Sequence, residues 1–133
     1  MIYLDTSVAL LSLLGQTGAD EAARLIMDAH ATEGLVSSCL LTVEMARAAH
    51  REHFDIRVVD EFIEGVELVE IGPDVIERAS ALTGELKSLD SIHLATATLL
   101  DDPRHPVTVL THDARLADAA RSRGLGAIDP LGS

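Results

Sequence analysis

Four acidic residues, Asp5, Glu44, Asp90 and Asp113, stand far apart in the 133-residue chain at positions where an α/β protein builds its sites. Brought together, four carboxylates repel one another, and protons or cations must relieve the repulsion. Oxygen ligands without a His and Cys cluster favour Mg2+ or Mn2+ over zinc. One or two such ions orient and acidify a water, polarise a phosphoryl oxygen and stabilise a departing oxyanion, so phosphodiester hydrolysis is the expected reaction. It needs neither a Ser-His-Asp triad nor a reactive cysteine. Acids are also common at helix caps and in first turns, where free amides and the helix dipole favour them. Asp101, Asp102, Asp118, Glu21 and Glu85 are assigned to caps or solvated faces, with Asp118 the one expected nearest the site.

The elements needed to position the four acids are legible as alternating strands and helices. Met1 to Leu4 is a short β-prone run ending at Asp5, and Thr6 or Ser7 offers a hydroxyl to cap the helix that follows. Asp20 to Ala31 has amphipathic spacing and Gly34 closes it. Leu35 to Ser38 reads as a strand, Leu40 to Glu52 as a helix carrying Glu44 in an early turn, and Ile56 to Ile63 as another helix. Val66 to Ile71 alternates as a strand, and Pro73 starts a helix expected to run from Asp74 to Leu86. Ser88 to Leu100 is helical with Asp90 near its start. Val107 to Leu110 is the clearest strand, Asp113 to Arg123 a helix ending at Gly124, and Gly126 to Ile128 a final short strand. Strands separated by helices imply right-handed parallel crossovers, hence a three-layer α/β/α sandwich with a mainly parallel sheet of four or five strands. Asp5 and Asp113 then leave the same carboxyl edge of the sheet, where functional crevices form. Glu44 and Asp90 begin helices near it.

Composition sets the limits. The length suits one domain over residues 1–133, and 47% apolar content supplies an aliphatic core. Aromatic residues are 2%, leaving little to stack nucleic-acid bases. One cysteine, Cys39, excludes an internal disulfide and a zinc or iron–sulfur cage, so the cytoplasm is the expected compartment. Val8 to Leu14 is apolar but too short to cross a bilayer and has no preceding base, so it reads as a buried helix and no membrane association is expected. A net charge of −12 opposes tight non-specific binding to a polyanion, yet bound metal would cancel part of it, and a basic protein partner would be attracted.

The segments Ile2-Tyr3-Leu4-Asp5-Thr6-Ser7, Glu44 with Arg47, Asp90-Ser91-Ile92-His93-Leu94-Ala95-Thr96-Ala97 and Leu110-Thr111-His112-Asp113-Ala114-Arg115-Leu116 follow in the order and spacing of the PIN-domain motifs. The chain resembles that family over nearly its whole length, and specifically the VapC-type toxin of a bacterial VapBC toxin-antitoxin pair. The resemblance implies a PIN-like fold, a Mg2+- or Mn2+-dependent endoribonuclease, an RNA substrate, a homodimer, and a small antitoxin whose tail covers the active site. It implies that Asp5 and Asp90 bind metal directly, with Glu44 and Asp113 completing the site directly or through waters. Thr6, Ser7 and Thr111 would hold waters or shape the pocket, although helix capping explains them as well. Arg47 either pairs with Glu44 or meets a substrate phosphate. His93 shares a helix face with Asp90 and reads as a packed, hydrogen-bonding histidine rather than a general acid; His112 is expected at the surface.

Two other function classes stay open. An aspartyl-phosphate phosphotransfer or phosphatase domain would also place an acid after the first strand. Against it, Ser7 stands where a second Asp belongs, and the only lysine, Lys87, precedes a helix instead of ending a strand. A catalytically silent PIN-like interaction module would suit the negative charge but leaves the four carboxylates without a use.

Overall fold

A computed structural model describes residues 1–82, 84 and 86–132. In chain order the elements are β1 (Ile2–Leu4), α1 (Thr6–Leu13), α2 (Ala19–Thr32), β2 (Leu35–Ser38), α3 (Leu40–Glu52), α4 (Ile56–Glu64), β3 (Glu67–Val69), α5 (Pro73–Ala81), α6 (Ser88–Leu100), β4 (Thr108–Leu110), α7 (Ala114–Ser122) and β5 (Gly126–Ile128). Among the described residues the strands form one parallel sheet in the order β3-β2-β1-β4-β5. The chain builds outward from β1 through β2 to β3, then returns to the opposite side of β1 with β4. The direction of winding therefore reverses between β1 and β4. Such a reversal parts the loops that leave the two strands and opens a crevice at their carboxyl ends.

The two-residue period of a strand sends successive side chains to opposite faces. Ile2, Leu4, Leu35 and Leu110 pack with Val8, Leu11, Ile26, Leu41 and Met45 of the first three helices. Tyr3, Val36 and Val109 pack with Leu94 and Ala97 of α6 and Leu116 and Ala120 of α7 on the other face. Helices on both faces make the expected three-layer α/β/α sandwich. Full burial of each Leu stabilises by roughly 1.5–3 kcal/mol, so the two clusters, though nearly free of aromatics, hold the sheet firmly between layers.

Helix α5 ends at Ala81, well short of Leu86. Leu82 is already extended at the helix end, Gly84 adopts a φ of +120° that helices exclude, and Leu82 and Leu86 pack against the α6 and α7 cluster. Strand β3 is also shorter than Val66 to Ile71, because an edge strand finds ladder partners only on Val36, Ser37 and Ser38. Among the described residues no helix is long and apolar enough to cross a membrane.

Candidate active site

Asp5 follows β1 immediately. Its backbone N–H donates to the Leu110 carbonyl at 3.0 Å, which seats it at the crevice between β1 and β4. Its carboxylate is only 4% exposed, and one oxygen, Oδ2, accepts hydrogen bonds from Ser7 Oγ at 2.5 Å and Thr111 Oγ1 at 2.9 Å. Those hydroxyls in turn accept from the backbone: Ser7 from His112 N–H at 2.9 Å and Thr111 from Asp113 N–H at 3.0 Å. Neither Thr6 nor Ser7 caps α1. Asp5 occupies the cap position without a side-chain capping bond, because the Ser7 hydroxyl is used to join the loop after β1 to the loop after β4.

Glu44 lies in the second turn of α3, on the border of the face that buries Leu41 and Met45. Its Oε1 accepts from Thr6 Oγ1 and from His93 Nε2, each at 2.7 Å. Burial pushes the Glu44 pKa up, but these two bonds and the charge of His93 outweigh it and hold the carboxyl below its usual range. Glu44 is thus an ionised acceptor. His93 is 1% exposed, and its other nitrogen, Nδ1, meets the Tyr3 hydroxyl at 2.7 Å.

Asp90 sits in the first turn of α6, where the helix dipole favours a negative charge. Burial raises its pKa, and the neighbouring charges of Asp5, Asp113 and Glu44 raise it further, only partly offset by His93. Among the described residues no hydrogen bond helps to hold it ionised. Asp113 is the cap of α7, its Oδ1 accepting from Arg115 N–H at 2.9 Å and Leu116 N–H at 3.3 Å. Asp90 and Asp113 line one cleft of about 320 Å3 with Lys87, Ala114 and Arg115. An adjoining face, about 300 Å3, is lined by Thr6, Glu44, Arg47, Arg51 and Leu89 among others.

A common pattern emerges. Among the described residues Asp5, Glu44 and Asp113 each have one oxygen held by two donors, while Asp90 has none held. Among the described residues no three His, Cys, Asp or Glu side chains form a ready-made cation cage. The donor set nevertheless fits a hard divalent cation: it is all oxygen, three carboxylates are already oriented, and the fourth bears the combined repulsion of the other three, offset in part by the nearby His93 imidazole.

The four acids expected to converge are therefore electrostatic neighbours. Arg47 is exposed at the cleft beside Glu44 and forms no ion pair with it among the described residues. Asp118 is exposed, pairs with Arg121 at 3.7 Å and is not among the charges acting on Asp90. Asp101 and Asp102 accept from the backbone N–H of Val107 and Arg104, and Glu21 pairs with Arg24, as caps and solvated faces do. Glu85 lies outside the described residues. His112 is exposed and bonds Asp129 at 3.0 Å. Sequence reasoning missed Tyr3, which carries no charge and looks like any β-prone aromatic. It also missed Lys87 as a cleft residue, though its place just before the α6 helix that carries Asp90 was the available signal.

The PIN domain model matches residues 2–122. Ribonuclease VapC35 of Mycobacterium tuberculosis is 30% identical over 132 residues, covering 98% of this chain and 97% of its own length. Ribonuclease VapC46 of the same species is 32% identical over 133 residues, with 97% of each chain covered. Among solved structures, a toxin-antitoxin complex from Klebsiella pneumoniae superposes with a TM-score of 0.73 at 23% identity, covering 100% of both chains. VapBC2 from Rickettsia felis, bound to a DNA fragment from its promoter, superposes with a TM-score of 0.74 at 13% identity, over 97% of this chain and 98% of that one. At these identities the structural likenesses speak for the fold.

Proposed function

The chain belongs to the PIN-domain family, and from that premise we propose that it is a divalent-metal-dependent endoribonuclease, the toxin of a VapBC-type pair. The observation that carries the metal-dependent part is Asp90: a half-buried carboxylate in one cleft with Asp113, repelled by Asp5, Asp113 and Glu44, and among the described residues without a hydrogen bond to hold its charge. Asp5 and Asp90 would bind Mg2+ or Mn2+ directly, with Glu44 and Asp113 completing the site directly or through waters. When bound, such a cation supplies charge neutralisation at phosphoryl oxygens and a lowered pKa for water.

The chain's own residues do the rest. Ser7 and Thr111 orient Asp5, and Thr6 and His93 orient Glu44. Lys87 and Arg115 border one cleft, Arg47 and Arg51 the other, so four of the ten basic residues gather where an RNA backbone would lie, against a net charge of −12. A phosphate held there meets cations locally although the protein as a whole repels it. An antitoxin partner is part of the proposal because the structural neighbours are a toxin-antitoxin complex and a VapBC pair. The resemblance to VapC-type toxins adds a homodimer, and length and cysteine usage add one nuclease unit over residues 1–133 in the cytoplasm.

The test is cleavage of RNA by purified protein with Mg2+ or Mn2+, with chelator, and in Asp5→Asn and Asp90→Asn variants. Cleavage that requires the cation and falls at least about 100-fold in both folded variants supports the proposal. Cation-independent cleavage, or full activity in either variant, overturns it.

A further inference from the structure

Tyr3 is 0% exposed and belongs to the apolar row of β1 that faces α6 and α7, where a phenyl ring would fill the same space. Its hydroxyl is the exception within that row. It accepts the Ser38 backbone N–H at 3.1 Å and lies 2.7 Å from His93 Nδ1. A phenol is a donor as well as an acceptor, so it can serve the Ser38 N–H and the imidazole together. On the far side of the imidazole, Nε2 lies 2.7 Å from Glu44 Oε1. An ionised carboxylate only accepts, so Nε2 carries the hydrogen in either charge state of the ring. Both nitrogens are therefore engaged. Turning the ring over would put carbon where each nitrogen now sits and lose both bonds.

We propose that Tyr3 is a positioning residue: through the buried His93 ring it fixes the Glu44 carboxylate, Oε1 inward and Oε2 left for the cation. The chain of bonds links residues 90 and 49 positions apart in sequence. It runs from α6 in one helical layer, past the end of β1, to α3 in the other. With Thr6 it gives Oε1 two donors, which sets the plane of the carboxylate as well as its place. Partners of this kind behind a ligand change metal affinity or activity by about 10- to 100-fold when removed.

The inference rests on the metal-dependent nuclease reading and is tested on the full chain by Mn2+ titration followed by electron paramagnetic resonance, with RNA cleavage alongside. In folded Tyr3→Phe, Mn2+ affinity and kcat should each fall about tenfold while KM for RNA holds. In a Glu44→Gln background the same substitution should change Mn2+ affinity less than about twofold, because the shared path is already broken. Unchanged Mn2+ affinity in folded Tyr3→Phe, or an equal loss in the Glu44→Gln background, overturns the role of Tyr3. Should Tyr3→Phe fail to fold, His93→Gln, which keeps an N–H near Glu44, must retain more Mn2+ affinity than His93→Ala; equal affinities overturn the relay. A wild-type protein that neither binds Mn2+ nor cuts RNA would sink the nuclease reading instead. The relay would then be judged by the metal-free His93 Nε2–H nitrogen resonance, which must shift in both Tyr3→Phe and Glu44→Gln and overturns it by staying put.

Discussion

Thr111 and Asp5, 106 residues apart, are joined by a 2.9 Å hydrogen bond from the Thr111 hydroxyl to Asp5 Oδ2. The same hydroxyl accepts the Asp113 N–H. One oxygen atom thereby serves two of the four candidate ligands. Thr111→Val keeps the shape and removes both bonds, leaving a buried carboxylate with one donor. We expect a stability loss of about 1.5–3 kcal/mol, the range for hydrogen bonds to charged groups, read from urea unfolding. Cleavage should fall about tenfold as Asp5 loses its orientation.

Asp90 opposes folding in the metal-free protein. A carboxyl whose pKa is raised in the folded state favours folding most below its unfolded pKa, and that contribution is lost as pH rises through the folded value. At neutral pH the charge therefore costs stability. Asp90→Asn should raise the metal-free melting temperature by roughly 2–4 °C at pH 7.5, a solvent-discounted effect of about 1 kcal/mol or less. The gain should shrink towards zero on acidification to pH 3.5. A variant that melts lower than the parent at pH 7.5 contradicts this.

Loading the site should reverse the sign. Mn2+ at about 100 times its dissociation constant stabilises the folded state by about 2.7 kcal/mol, visible as a higher melting temperature. Chelator should abolish the rise, and Asp5→Asn and Asp90→Asn should show little of it.

Asp113 has two jobs that separate by substitution. Asn accepts the same capping bonds from Arg115 and Leu116, so Asp113→Asn should unfold like the parent, whereas Asp113→Ala should lose about 1 kcal/mol. Both variants should lose cleavage to a similar extent. Loss only in the alanine variant would assign Asp113 to capping alone.

Much of this arrangement was readable beforehand. The β2, α3, α6 and β5 boundaries follow from apolar period and punctuation, and alternating strands and helices imply a parallel sheet, so the acids could be placed at its carboxyl edge, whereas the strand order with its reversal between β1 and β4 could not be read. What stayed hidden is what depends on three-dimensional partners. Ser7 and Thr6 satisfy the local rule for a cap yet donate to Asp5, two residues away, and to Glu44, 38 residues away, instead of accepting from the helix amides. Helix α5 stops at Ala81, with Leu82 extended and Gly84 at a φ no helix adopts, although Val75, Leu82 and Leu86 keep a helical spacing that gave no sign of the stop. The bond between Tyr3 and His93 links residues that nothing in the sequence marks as a pair.

The hydroxyl network between the loops after β1 and β4 has one more consequence. It is built on the sheet's central strand pair, so the outline of the pocket belongs to the fold rather than to whatever occupies it. An occupant entering such a pocket finds its walls already set and has no loop to order first.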